Sequence, residues 1–309
     1  MIVHWDEVEA WDLRRGPMQL HRIDLGNAAE TRKVGVARLK LDPGGRSSPV
    51  HVELDEEEIF YVLGGSGLSW QDEKTYEIGP GDCLVHRAAE EAHTLIAGPG
   101  GLDVLAFGER TDATASYLPR AGVLRMGVTV EVSDGPHPWE REAAAGELEL
   151  PEPSPRPPTI VNRAGMEGDF GGRAFALGKA AGSVRTGLNY IALSAGEEGA
   201  PPHCHSAEEE IFVVLEGEGT LELLPSPQRA MRGAEPESTP VRPGHVVSRL
   251  PGTGIAHSFL AGPSGLTYLA YGTRDSNDIT YYPRSNKIFF RGVGLIGRIE
   301  RLDYWDGEE

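Results

Sequence analysis

Two histidines stand two residues apart, His203 and His205, with a glutamate at Glu210 and a further histidine at His257. On a strand, residues i and i+2 leave the same face, so these two imidazoles point together while Cys204 points away. Glu210 opens the run Glu210-Ile-Phe-Val-Val-Leu, and a turn at Gly217 could return the chain to bring its carboxylate alongside the pair. His257 follows Pro251-Gly-Thr-Gly-Ile-Ala, a turn-rich approach to another strand. Three imidazoles and one carboxylate form a borderline-to-hard donor set that suits Mn, Fe, Ni, Co or Zn. In octahedral geometry it leaves room for water or substrate. The competing explanation is a polar barrel mouth that binds no metal.

The cluster occurs twice. His51-Val-Glu-Leu-Asp-Glu-Glu-Glu-Ile-Phe-Tyr-Val-Leu-Gly-Gly-Ser-Gly67 aligns without a gap with His203-Cys-His-Ser-Ala-Glu-Glu-Glu-Ile-Phe-Val-Val-Leu-Glu-Gly-Glu-Gly219 at an offset of 152 (203 − 51). The first copy keeps His51, Glu58 and His93 but carries Glu53 in place of the second histidine. This set could bind a hard cation such as Mn. Without a metal its clustered carboxylates would repel, and one pKa would rise. A decayed site kept for packing or dimer contacts is the alternative. In the triplets Glu56-Glu-Glu58 and Glu208-Glu-Glu210 only the last residue fits the ligand spacing, and the others read as surface acids. His4, His21, His86, His137 and His245 read as surface or structural histidines, although His86 could face the first cluster.

Positioning these residues requires strands. Val34-Gly-Val-Ala-Arg-Leu-Lys-Leu, Glu58-Ile-Phe-Tyr-Val-Leu and Leu266-Thr-Tyr-Leu-Ala-Tyr are short, rich in β-branched or aromatic residues, and bounded by Gly and Pro. Helical periodicity is confined to Arg141-Glu-Ala-Ala-Ala and the region from Trp5 to Leu13. The pattern predicts an all-β sandwich or barrel with few short helices. The repeat register slips between Gly81 and Gly244, offset 163 (244 − 81), so the second copy carries an 11-residue insertion (163 − 152) around residues 225–240, read as a surface loop. Registration then resumes at His93 and His257 and runs on to Tyr117-Leu-Pro-Arg120 and Tyr281-Tyr-Pro-Arg284. The expected organisation is a first domain over 1–134, an extended Pro-rich linker over 135–158, and a second domain over 159–309. Trp5, Trp11, Tyr304 and Trp305 are expected to anchor the tails to the barrels.

With 29 Lys and Arg against 47 Asp and Glu, the net charge of −18 disfavours nucleic acid and anionic membrane as partners. Two cysteines, Cys83 and Cys204, cannot build a disulfide framework, and no apolar run approaches the length of a membrane helix. A soluble, cytoplasmic protein is expected.

The motifs resemble those of the cupin superfamily. His203, His205, Glu210 and Gly217 match its first motif, and Gly244, Gly254 and His257 match its second; Pro251 is one place out, and Ala261 stands where Asn is usual. The resemblance covers roughly residues 30–125 and 180–290, with the motif worn in the first copy, where Ala88 and Glu90 replace Pro and Gly. It implies a two-domain bicupin of tandem jelly-roll β-barrels with a divalent metal held inside. The superfamily includes dioxygenases, decarboxylases, isomerases, sugar-binding regulators and storage proteins, so fold does not fix function. The leading expectation is a metal-dependent enzyme of dioxygenase or related oxidoreductase type acting on a small organic molecule. The alternatives are a non-catalytic small-molecule-binding or structural bicupin and an oxalate-decarboxylase-like carboxy-lyase. Arg249, Tyr190 and Tyr268 are candidate groups around the metal. Packing of the two barrels within one chain suits a monomer, whereas strand exchange through the tails would give a homodimer.

Overall fold

The computed structural model describes the chain except residues 112, 128–129, 133–134 and 309. Each repeat is a pair of antiparallel sheets. In the first, an eight-stranded sheet is centred on Glu58–Gln71 and His93–Glu109, flanked by Asp82–His86 on one side and Val34–Leu41 on the other. In the second, a seven-stranded sheet is centred on Glu210–Pro225 and Ile255–Thr273, flanked by His245–Arg249 and Thr186–Leu193. A four-stranded sheet accompanies each, containing Val52–Glu53 and Ala115–Leu118 in the first repeat, Cys204–His205 and Ile279–Tyr282 in the second. This is the expected all-β jelly-roll arrangement. Hydrogen bonding leaves each sheet open, so the repeats are paired sheets rather than closed barrels.

The long central strands bend where glycine is required. Both carry register shifts, between Val62 and Gly67 and between Val214 and Gly219. Gly65 and Gly217 each have φ +74°, and a Cβ there would lie 2.2 Å from Gly101 O and 2.1 Å from Gly265 O. The left-handed backbone and the close neighbouring strand exclude any side chain.

The repeats exchange their leading strands. Ile2–His4 pairs with His245–Arg249 of the second repeat, and Ile160–Asn162 pairs with Asp82–His86 of the first. An apolar cluster including Ile59, Val85, Phe107, Leu188, Ile211 and Tyr271 spans the junction, where the Phe107 and Tyr271 rings lie 5.0 Å apart. Burial of such residues drives the two halves together. Separate clusters fill the interior of each sandwich.

The middle glutamates of the triplets lock this junction. Glu57, fully buried, accepts from Ser183 Oγ at 2.8 Å, Val184 N at 2.7 Å, Arg185 N at 3.1 Å, and Thr186 N and Oγ1 at 3.1 and 3.0 Å. Glu209, also fully buried, accepts from Arg32 N at 2.9 Å and from Lys33 N. Each repeat therefore caps a turn of the other. The triplets are not the surface acids their sequence suggested.

Other expectations need correction. The region from Trp5 to Leu13 forms no helix; its end enters the strand Ala10–Arg15, paired with Met18–Asp24. The helix near Arg141 is present as Pro138–Ala144, and it docks through the fully buried Glu142, paired with Arg46 and Arg120. The insertion is partly ordered, with a helical turn at Pro227–Ala230 and a strand at Glu237–Val241. Tyr304 and Trp305 are 85% and 69% exposed and anchor nothing, whereas Trp5 packs against the junction core. Both cysteines are buried free thiols. No described helix is long and apolar enough to cross a membrane.

Candidate metal centres

Glu58 and Glu210 each begin the central strand of their repeat, and the cross-sheet bridges His51–His93 and His203–His257 bring the histidines beside them. Both bridges have the same backbone hydrogen bonds, 3.2 and 2.9 Å. The ligand-type atoms of His51, Glu58 and His93 lie within 4.8 Å of one another, as do those of His203, Glu210 and His257. Sequence spacing thus brings all three shared positions together in both copies.

In the first centre, His51 Nε2 and His93 Nε2 lie 3.2 and 2.9 Å from Glu58 Oε2, in hydrogen-bond geometry. Glu53 Oε1 is 3.5 Å from His51 Nε2, and its Oε2 is buried without a partner. In the second, Glu210 Oε2 lies 3.8 Å from His203 Nε2, 3.3 Å from His205 Nε2 and 3.1 Å from His257 Nε2. Here Glu210 Oε2, His205 Nε2 and His257 Nε2 are all buried without a hydrogen-bond partner, despite their closeness. Unpartnered buried polar atoms are costly, and three that converge fit a shared cation. The donor set, imidazole and carboxylate, fits a divalent metal ion in both repeats.

The remote ring nitrogens prepare these imidazoles. Nδ1 of His51 lies 3.0 Å from Pro49 O, and Nδ1 of His203 lies 2.8 Å from Pro201 O. An N–H donated to a carbonyl holds the proton on Nδ1, so Nε2 is the nitrogen that can give up its proton and turn a lone pair to a cation. His205 Nδ1 instead contacts Asp278 Oδ2 at 2.7 Å, and the buried Asp278 also accepts from Ala207 N at 2.9 Å and Thr280 Oγ1 at 3.1 Å. Asp278 was not singled out in the sequence. Its signal is the repeat register, which sets it opposite Thr114, so only the second copy supplies a carboxylate there.

Electrostatics separate the centres. Burial pushes His93 and His257 down to about 4, so both are neutral at pH 7. Against the upward push of burial, their close imidazole contacts hold Glu58 and Glu210 well below the usual carboxylate range. His51 overcomes burial through Glu58 and Glu53 and rises to about 9. Burial and the Glu58 charge push Glu53 up to about 8. His205, against burial, is raised to about 10 by Asp278 and Glu210.

Across each sheet, Glu58 pairs with His86 and Glu210 with Arg249. His86 is no surface histidine: it is buried, stacks on His93 at 3.8 Å, and leaves Nε2 without a partner. Arg249 donates to Ile255 O at 2.9 Å. Tyr268 is buried in the second sandwich against Phe212 and Phe259, whereas Tyr190 faces the junction between repeats, away from either centre. A cavity of about 500 Å3 opens on His51, Glu53 and Glu58, and its wall includes Trp11, Arg22, Arg125 and Trp139.

Residues 37–102 match the family model described as Cupin domain. Among solved structures, an oxalate decarboxylase from Bacillus subtilis is 12% identical with a TM-score of 0.60, covering 89% of this chain and 77% of that one. A second structure of that enzyme, concerned with its Mn(II) centres, is 13% identical with a TM-score of 0.61, covering 90% and 78%. The Lactobacillus farciminis oxalate decarboxylase formate complex is 11% identical with a TM-score of 0.60, covering 89% and 86%. No curated protein matches the sequence. The first repeat thus carries a match to the Cupin domain, and the likeness to the oxalate decarboxylase structures extends the same jelly-roll fold over both repeats.

Proposed function

We propose that the chain is a metal-dependent enzyme acting on a small anionic organic molecule. The observation that carries this reading is the cavity of about 500 Å3 beside the first centre, walled by His51, Glu53 and Glu58 together with Arg22 and Arg125. In this reading His203, His205, Glu210 and His257 hold one divalent ion, and His51, Glu53, Glu58 and His93 hold another. A bound divalent ion supplies Lewis acidity to a substrate oxygen and lowers the pKa of bound water.

The chain's own residues do the rest. Arg22 and Arg125 attract and orient a carboxylate, while the Trp11 and Trp139 rings cover its apolar part. Pro49 O and Pro201 O fix the tautomers of His51 and His203, and Asp278 does so for His205. Loss of CO2 from a small carboxylic acid is favoured by the arginines in the cavity and by a fold shared with oxalate decarboxylases. A dioxygenase is the second reading, favoured by the three-imidazole, one-carboxylate set, which leaves coordination positions open. Two domains, 1–134 and 159–309, joined by a linker over 135–158, are proposed as the units of the chain, each domain lending one strand to the other.

The test is a panel of small mono- and dicarboxylic acids given to protein loaded with Mn(II), Fe(II) or Co(II), with CO2 release and O2 uptake followed together. Turnover of at least one acid, lost in Glu58→Ala, is expected. Absence of turnover across the panel, or full activity in Glu58→Ala, would overturn the reading.

A further inference from the structure

A second cavity, of about 450 Å3, is lined by residues that follow both exchanged strands and by none of the residues of either metal centre. Its wall combines Trp5, which follows the strand lent to the second repeat, with Arg163, which follows the strand lent to the first. These positions are counterparts about the internal symmetry. Arg38 lies over the Trp5 ring at 4.1 Å, and Arg163 lies over the Tyr190 ring at 4.9 Å, with cation and ring interchanged between the repeats. Tyr61 completes the aromatic lining, its ring 6.3 Å from that of Tyr190.

The charges are not equivalent. Arg38 is neutralised by a two-pronged pair with Asp103, at 3.0 and 2.7 Å. Arg163, half-buried, has no ion pair and no side-chain hydrogen bond among the described residues, and the same holds for Glu216, which is exposed at the rim of the cavity. A half-buried cation and a solvated anion at the rim, neither with a protein partner among the described residues, therefore flank an aromatic lining. A guanidinium held flat on a ring presents its N–H edge to a carboxylate, and a lone carboxylate attracts an ammonium.

We propose that this cavity binds an aromatic amino acid as its zwitterion, carboxylate on Arg163, ammonium on Glu216, and ring among Trp5, Tyr61 and Tyr190. The site is formed by both repeats, so its ligand holds them together as well as being recognised by them. Neither its chemistry nor its place depends on the metal reading.

The experiment is calorimetric titration of L-phenylalanine into the chelator-treated full chain. One molecule per chain is expected, with hydrocinnamate and phenethylamine, which each lack one charge, binding about tenfold or more weakly. Arg163→Gln and Glu216→Gln should each weaken L-phenylalanine by a similar factor, while Arg125→Gln in the other cavity leaves it unchanged. No saturable binding, equal binding of hydrocinnamate, or loss in Arg125→Gln with retention in Arg163→Gln would overturn the proposal. Because metal is absent throughout, failure here would leave the metal-dependent reading standing.

Discussion

The two centres share a backbone frame and differ in what their side chains do with it. In the first repeat the glutamate is consumed by hydrogen bonds, with both His51 and His93 bonded to Glu58. In the second, Glu210 Oε2 is as close to His257 Nε2, at 3.1 Å, but it is shared with a further imidazole, His205 at 3.3 Å, which Asp278 braces. One motif can thus gather two imidazoles around its glutamate or three. Two replacements, Glu53 opposite His205 and Thr114 opposite Asp278, distinguish the two centres.

The largest effect should come from the residue beside each ligand. Glu57→Ala strips the partner from five donors and should cost on the order of 3–5 kcal/mol, whereas Glu209→Ala, with fewer bonds, should cost about 2–3 kcal/mol. Guanidinium unfolding midpoints would check both values. Equal, small losses would contradict the inequivalence of the two latches.

Asp278→Asn tests the brace. Metal affinity of the second centre should fall about 10–100-fold, as expected when the group orienting a ligand imidazole is lost, while the first centre is untouched. Competition with a fluorescent chelator reads this directly. An unchanged affinity would mean that His205 needs no support.

Glu53→His restores the paired histidines of the second motif. It should raise the affinity of the first centre by about tenfold, through loss of a buried acid that must first release its proton. If affinity falls instead, the two centres differ by more than this position.

The smallest effect is a proton count. At pH 7 His51, near 9, and Glu53, near 8, both carry protons that a cation must displace, whereas in the second centre His205, near 10, carries such a proton. His93 and His257, near 4, are already neutral. Because raised pKa values keep protons bound until the pH climbs through them, affinity should rise with pH in both. The rise should be steeper in the first centre, by about one proton per ion. Proton release in weakly buffered solution measures it.

Much of this was legible in the residues. His203, His205 and Glu210 are recoverable because strand alternation and a gapless repeat fix their relative placement, and His257 because the repeat register resumes at it after the insertion. Asp278 was not, because it meets His205 across 73 residues, through pairing of Cys204–His205 with Ile279–Tyr282. The roles of Glu57 and Glu209 were hidden for the same reason, since their partners lie 126–129 and 176–177 residues away on the other repeat. The region from Trp5 to Leu13 misled because alternation in a short edge strand is weak and local propensity yields to pairing with Met18–Asp24. Strand exchange leaves no local signature, since strands of three residues, Ile2–His4 and Ile160–Asn162, are too short for their side-chain pattern to name the sheet they join.

The most direct test of the account is a Mn(II) titration of the chelator-treated full chain, followed by the electron paramagnetic resonance of free Mn(II). Two classes of site per chain are expected, the tighter abolished by Glu210→Ala and the weaker by Glu58→Ala. Loss of only the weaker class in Glu210→Ala, or unchanged binding in both variants, would contradict it.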